Sequence, residues 1–202
     1  MPAAAQLALA LLAAYLLGSV PFAMVASKVF GLADPRSYGS GNPGATNVLR
    51  SGNKKAALFT LIGDALKGWV AVFAAHAAGF SETGVGLVGL AVFFGHLFPI
   101  FLKFKGGKGV ATGAGVLLAL DLPIGLAVLA TWILVAFAFR YSSLAAVVAA
   151  AAAPLYVGLA RSAGGELLVV GVLALALIGK HWGNLQRLLA GQEGKIGAKK
   201  KA

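Results

Sequence analysis

Three short polar segments contain most of the residues that could do chemistry in this chain. The first, Ser40–Asn47, is rich in glycine and asparagine and is followed by Arg50; the second, Lys103–Gly109, holds three lysines and three glycines. The third runs from Lys180 to Lys195. Glycines let backbone N–H groups approach an anion closely, and lysine and arginine supply the opposite charge. These segments are therefore candidate binding sites for phosphate groups.

The first two segments also have simpler structural interpretations. Asn42-Pro43-Gly44 is typical of a turn. In this interpretation Ser40 only caps the neighbouring backbone or forms a local hydrogen bond. The lysines of the second segment agree with a basic loop on the cytoplasmic side of a membrane, but that interpretation leaves its glycine cluster unexplained. The second segment is not a Walker A loop, because Lys108 is followed by Gly109 rather than by Ser or Thr. The pattern favours phosphate binding for this segment.

The third segment follows an apolar run and combines a histidine with amide and charged groups. If a helix continues through it, His181 and Asn184 lie on one face and could hold a polar substrate. Arg187 and Glu193 are expected to pair and to fix the C-terminal turn. Lys180 is expected to anchor the helix end at the membrane interface.

The composition excludes an ordinary soluble domain. Of the 202 residues 59 % are apolar and 11 % are charged, with a mean hydropathy of +0.88, whereas soluble domains carry about 25 % charged residues. The formal charge of +11 suits nucleic acid, anionic lipid or an anionic substrate, but the aqueous part is too small for a nucleic-acid module. The absence of cysteine excludes disulfides, thiolate metal sites and a cysteine nucleophile.

The apolar runs predict an all-α integral membrane protein. We expect a single domain over residues 1–202 with seven transmembrane helices, because seven runs are separated by polar or glycine-rich breaks. The expected spans are about 4–30, 56–80, 84–102, 110–120, 123–139, 144–160 and 167–180. The fourth and seventh fall short of the roughly 20 residues that cross a bilayer, so a count of six stays open.

The distribution of basic residues predicts the orientation of these spans. With the N-terminus outside, 15 of the 17 lysines and arginines lie on one side of the membrane. The exceptions are Lys67, within a span, and Arg161, in an outer loop. Positive charge concentrates in cytoplasmic loops, so this side is expected to be cytoplasmic and to carry the C-terminus. The three polar segments then emerge together at that face. The Lys199–Lys201 end is expected to lie near anionic headgroups.

Two further features of the spans have structural interpretations. Asp64 and Lys67 lie three residues apart within the second span and are expected to form an ion pair that faces the bundle. His96 with Pro99 is expected to kink the end of the third span.

Taken together, the three segments resemble the motifs of the bacterial acyl-phosphate:glycerol-3-phosphate acyltransferases. The resemblance rests on Gly39–Asn47, on Gly95-His96 with Phe104–Thr112, and on the third segment, in the same order and spacing. It implies a multi-pass enzyme of the bacterial inner membrane, with its active face in the cytoplasm. Such an enzyme transfers a fatty acyl group from acyl phosphate to the sn-1 hydroxyl of glycerol 3-phosphate. The products are lysophosphatidic acid and phosphate, the entry to phospholipid biosynthesis.

The resemblance also implies roles for individual residues. Those expected to be catalytic, lining the glycerol 3-phosphate and reaction site, are Ser40, Arg50, Lys108, His181 and Asn184. Those expected to bind the acyl phosphate headgroup with the glycine loop are Lys105, Gly106, Gly107, Gly109 and Thr112. Those expected to bind substrate from the first motif are Gly41, Asn42 and Asn47. Glu193 is expected to hold the third motif in place.

The chemistry of the implied donor sets what the site must do. Acyl phosphate is a mixed anhydride with a good leaving group, so no metal, cofactor or covalent enzyme nucleophile is expected. The site has to position two phosphorylated substrates against their mutual repulsion. Either His181 or a substrate phosphate oxygen could take the proton of the attacking hydroxyl, and we favour the substrate-assisted route. The expected partners are membrane lipid, both substrates and the enzyme that makes acyl phosphate; nucleic acid is not expected.

Other classes of protein fit the sequence less well. Acyl-CoA-dependent glycerophosphate acyltransferases resemble one another in a His-x4-Asp motif, and no Asp follows any of the three histidines here by five positions. An anion transporter could use the same basic loops as a pore mouth, but should carry polar features near the membrane midplane. A noncatalytic membrane assembly protein would leave the convergence of polar motifs unexplained.

Overall fold

The chain is described by a computed structural model that covers residues 2–160 and 164–197. The expected outer-loop position of Arg161 and the expected placement of Lys199–Lys201 lie outside the described residues.

All regular secondary structure in the described ranges is helical. The long helices are α1 (Ala3–Ser19), α4 (Lys54–Ala77), α5 (Glu82–Leu97), α6 (Val110–Leu120), α7 (Leu122–Phe139), α8 (Ser142–Ala160) and α9 (Gly165–Lys180). The short ones are α2 (Phe22–Val29), α3 (Ala45–Leu49) and α10 (Trp182–Leu189), with single 3-10 turns at Pro35–Ser37 and Ile100–Leu102.

Four of these helices are long and apolar enough to cross a membrane: α4, α5 with the turn that follows it, α7 and α8. The number rises to six if the bent pairs α1–α2 and α9–α10 each form one span. Helix α6 is apolar but has only 11 residues. Each predicted apolar run therefore corresponds to a helix or a helix pair in the described part of the chain.

The first predicted span is not one continuous helix. Helices α1 and α2 meet at an angle of 42°, with Val20 extended at φ −65° and ψ 115°. Pro21 explains this break, because proline has no N–H to donate and disfavours helical backbone in the residue before it. The break leaves the Val20 carbonyl oxygen outside the helical hydrogen-bond ladder.

Glycines allow two pairs of helices to pack with their backbones in contact. A Cβ at Gly18 or Gly95 would collide with backbone carbonyls across the α1–α5 contact, and one at Gly68 or Gly115 would do so across the α4–α6 contact. Small residues at such crossings favour helix association in membranes. The core between these helices is closed by larger apolar side chains such as Phe93, Val92 and Val116.

Candidate active site

The structure brings the three polar segments together at one end of the bundle. Lys108 of the second segment donates a hydrogen bond to the Asn184 side chain of the third. Arg50 lies beside the third segment as well, since a Cβ placed at Gly194 would be 3.6 Å from its Nη2. The three segments therefore lie next to one another, as predicted.

A chain of hydrogen bonds fixes Asn184 in one orientation. Its Oδ1 accepts from Lys108, and its Nδ2 donates to Glu193 Oε1 at 2.6 Å. Glu193 also accepts from Ser143 Oγ at 2.8 Å and from Arg187 Nε at 2.8 Å. The amide cannot flip without losing both of its bonds, so this network locks the group that faces Lys108.

Glu193 stays ionised within this network. Burial alone would raise the pKa of its carboxyl, but hydrogen bonds from Asn184, Ser143 and Arg187 outweigh burial and lower it below its ordinary value. The predicted pairing of Arg187 with Glu193 is observed.

Lys108 lies among other cations. Burial lowers the pKa of its ammonium to about 8; the negative charge of Glu193 opposes this, while the positive charges of Arg187, Arg50 and Lys180 reinforce it. Like charges held close together in a half-buried setting destabilise the ligand-free site. A phosphate bound between them would relieve that repulsion.

His181 lies at the bend between α9 and α10 and is only 3 % exposed. Its Nδ1 is 2.9 Å from the Leu177 carbonyl oxygen, which can only accept, so Nδ1 carries the proton. Burial lowers the pKa of His181 to about 4, against the raising effect of that hydrogen bond. The imidazole is therefore neutral at pH 7, with Nε2 able to accept a hydrogen bond but not to donate one.

The glycine loop is held tightly against the end of α5. The Gly107 N–H donates to the His96 carbonyl oxygen at 3.1 Å, and a Cβ at Gly106 would lie 2.9 Å from the Leu97 carbonyl oxygen. Gly109 has a φ of +85° as it leads into α6, a conformation that favours glycine.

The other two residues expected at the acyl phosphate headgroup lie in contrasting places. Lys105 is exposed beside the glycines. Thr112 is fully buried inside the bundle, so its side chain is not at the surface of the loop.

The first-motif loop is closed by Asn47. Its Oδ1 accepts from the Ser40 N–H at 2.9 Å, and its Nδ2 donates to the Pro35 carbonyl oxygen at 2.6 Å and to the Tyr38 carbonyl oxygen at 3.1 Å. Asn47 is 2 % exposed, and its polar atoms are engaged by the loop itself.

The remaining first-motif residues are more accessible. Ser40, Arg50 and Gly41 are exposed, and Asn42 is half-buried. Gly41 has a φ of +67°, which suits glycine in a tight turn. The loop therefore presents Ser40 and Arg50 outward while Asn47 holds its backbone.

Sequence reasoning missed the contribution of α8 to this site. Ser143, at the start of that helix, donates to Glu193, and Thr46 and Ser142 hydroxyl oxygens lie 3.2 Å apart. The only sequence signal was the adjacent serine pair after Arg140 at the same predicted membrane face. Among the described residues, no group of three or more His, Asp or Glu side chains is arranged to hold a metal ion.

The fold and site define a helical membrane protein whose polar rim gathers cations beside a glycine-rich loop. Residues 8–191 match the family model described as glycerol-3-phosphate acyltransferase. The chain is 74 % identical over 197 residues, covering 98 % of it and all of the relative, to a glycerol-3-phosphate acyltransferase of Dechloromonas aromatica. It is 60 % identical over 200 residues, 98 % of this chain and 94 % of the relative, to one of Burkholderia cenocepacia.

Two solved structures have the same fold. They are crystal structures of PlsY (YgiH), an integral membrane glycerol 3-phosphate acyltransferase, in its glycerol 3-phosphate form and its lysophosphatidic acid form. Both are 36 % identical to this chain and cover 95 % of it and 96 % of their own chain, with TM-scores of 0.90 and 0.88. This chain belongs to the glycerol-3-phosphate acyltransferase family and is an integral membrane protein.

Proposed function

We propose that this protein transfers a fatty acyl group from acyl phosphate to the sn-1 hydroxyl of glycerol 3-phosphate. The observation that carries the proposal is the gathering of Arg50, Lys108, Lys180 and Arg187 near a glycine-rich backbone. Both substrates carry phosphate, and an anion site of this kind can hold the two phosphates close together despite their repulsion. The family membership of the chain supports glycerol 3-phosphate as the acceptor.

The reaction balances without a metal, a cofactor or an enzyme nucleophile. The acceptor hydroxyl oxygen attacks the acyl carbonyl carbon, the new ester C–O bond forms, and the C–O bond to phosphate breaks. Phosphate leaves with the bonding electron pair, and the hydroxyl proton passes to a phosphate oxygen. Because the anhydride is already activated, the protein has to contribute positioning and charge stabilisation rather than covalent chemistry.

We assign the two substrates to different parts of the rim. The glycine loop of Lys105, Gly106, Gly107 and Gly109 holds the acyl phosphate headgroup, with Lys108 between the two phosphates. Ser40 and Arg50, which the first-motif loop presents outward, bind glycerol 3-phosphate together with His181 and Asn184. Glu193 and Asn47 hold these groups in place through the hydrogen bonds described above.

The state of His181 supports the substrate-assisted route. A neutral imidazole whose pKa is lowered to about 4 is a weak base for an alcohol proton. Its Nε2 can still accept a hydrogen bond from a glycerol hydroxyl and orient it. We therefore assign His181 to substrate orientation, and the proton to a substrate phosphate oxygen.

The pH dependence of the enzyme should reflect Lys108. Its ammonium is charged below a pKa of about 8, so kcat/KM for acyl phosphate should fall as the pH rises through that value. His181, with a pKa of about 4, should add no change between pH 5 and 7. The measurement is kcat/KM from pH 5 to 10. The control variant Lys103→Arg should show the same fall in kcat/KM above pH 8. A flat profile above pH 8 would contradict this assignment.

We further propose seven spans in the bacterial inner membrane, with the N-terminus outside and the site in the cytoplasm. The positive-inside distribution supports this orientation. The chain has no cysteine, so single substitutions can be labelled cleanly. A membrane-impermeant maleimide should label Glu82→Cys in intact spheroplasts and Gln192→Cys only in inside-out vesicles. The opposite pattern would place the site outside.

The proposed donor is tested by supplying labelled glycerol 3-phosphate to the purified protein with palmitoyl phosphate, palmitoyl-CoA or palmitoyl acyl carrier protein. Labelled lysophosphatidic acid should form with palmitoyl phosphate alone among these donors. Formation with palmitoyl-CoA at an equal or greater rate would overturn the proposed donor.

A further inference from the structure

A buried charged cluster lies directly beneath the glycine loop. Lys67 Nζ is 2.9 Å from Asp64 Oδ1, as the sequence predicted, and His96 Nδ1 is 3.4 Å from the same oxygen. The three residues are 3 to 7 % exposed. His96 was expected only to kink its helix, and its place in this cluster was not predicted. The proposed reaction uses none of the three side chains.

One side of the cluster ties it to the break between α1 and α2. Lys67 Nζ donates to the Val20 carbonyl oxygen at 2.8 Å. That carbonyl lies at the C-terminal end of α1, where helix carbonyls lack backbone donors and a cation is favourable. Lys67 therefore caps α1 at the position where Pro21 interrupts the helix.

The other side of the cluster supports the glycine loop. The His96 carbonyl oxygen accepts the Gly107 N–H, and its ring lies so close to Gly107 that a Cβ there would collide with Nε2. The loop thus rests on both the backbone and the ring of His96, and Asp64 Oδ1 lies 3.4 Å from Nδ1 of that ring. Lys67, His96 and Gly107 line one small cavity together with Pro43 of the first motif.

From this geometry we propose that Asp64, Lys67 and His96 are positioning residues for the donor site. They hold the glycine loop in the arrangement that receives the acyl phosphate headgroup. The inference rests on the proposed function for its substrate, but the positioning itself is a property of the folded chain. A buried ion pair is a poor source of stability, whereas a fixed loop is what binding of a transferring group requires.

The test separates positioning from stability by removing the two charges together. Single substitutions of Asp64 or Lys67 leave a buried charge without its partner and should lower the unfolding midpoint. The double variant Asp64→Val/Lys67→Met leaves no such charge, so its midpoint should return close to that of the wild type. Hydrogen–deuterium exchange of residues 103–109 should nevertheless be about ten-fold faster in the double variant, because the His96 ring that supports the loop loses its charged neighbour Asp64.

The kinetic readout should show the same selectivity. KM for palmitoyl phosphate should rise about ten-fold in the double variant, while KM for glycerol 3-phosphate stays within about two-fold. Thr60→Val is the matched control: Thr60 is fully buried one turn earlier on α4 and bonds only to Ala56 of its own helix among the described residues. It should change neither exchange of the loop nor either KM.

A second variant covers the case in which the double variant does not fold. His96→Asn keeps a donor near the position of Nδ1 but removes the ring edge under Gly107, and should speed exchange of residues 103–109. Unchanged exchange in these variants would overturn the inference whatever the activity. If the wild-type protein shows no acyl transfer but the loop exchanges faster in these variants than in the wild type, the positioning role is retained and the proposed function is overturned. An equal rise in both KM values would overturn the assignment to the donor site.

Discussion

Replacing Lys108 with methionine is expected to lower kcat/KM for acyl phosphate by about 100- to 1,000-fold, the cost of removing one charged stabiliser from a reaction site. The substitution keeps most of the length of the side chain and removes the ammonium that contacts Asn184. Lys108 lies within a group of cations. Without its charge, the site would stabilise the transition state less, because negative charge develops there on the leaving phosphate. Steady-state phosphate release measures the effect.

The matched control is Lys103→Met, which removes the same charge from an exposed position earlier in the segment. It should leave kcat/KM within about two-fold of the wild type. Equal losses in the two variants would mean that the overall positive charge of the loop, rather than Lys108 itself, supports the reaction. That result would contradict the proposed role.

Replacing Gly106 with alanine is expected to raise KM for acyl phosphate by about 100-fold, the effect of a displacement near 1 Å in a positioning group. The new Cβ would meet the carbonyl oxygens of His96 and Leu97 and the ring of Pro99. Two of these three obstacles are backbone atoms, which cannot move aside as a flexible side chain can. The loop itself would have to shift away from the position proposed to receive the headgroup.

Gly171→Ala is the matched control for this change. It lies within α9, and among the described residues no atom outside its own stretch of helix comes within 4 Å of a Cβ built there. Alanine also has the higher helix propensity, so the control should keep wild-type kinetics and an equal or higher unfolding midpoint. Wild-type KM in Gly106→Ala, in a folded protein, would contradict the close fit of the loop that the account requires.

The helices were predictable because their signals are local. Apolar runs set their positions, and residues such as Asn53, Ser81 and Asp121 cap them with side-chain oxygens. The end of α6 at Leu120 and the start of α7 coincide with a break in the apolar pattern. The interruption at Pro21 was missed although the proline is visible, because the uniformly apolar run around it suggested one continuous helix.

Other features depend on contacts between distant segments and could not be predicted. The ion pair of Asp64 with Lys67 follows from their spacing on one helix, but the approach of His96 requires α4 to pack against α5. Similarly, the predicted pair of Arg187 and Glu193 is local, whereas Ser143 reaches Glu193 from another helix. Residue types at the site were visible in the sequence; their hydrogen-bond partners depended on the packing of the bundle.

The proposed function is tested most directly by phosphate release from the purified protein in a lipidic mesophase, with palmitoyl phosphate and glycerol 3-phosphate each omitted in turn. Release should require both substrates, match the amount of lysophosphatidic acid formed, and collapse in Lys108→Ala. Equal release from palmitoyl phosphate without glycerol 3-phosphate, or no release from the folded wild-type protein, would contradict it.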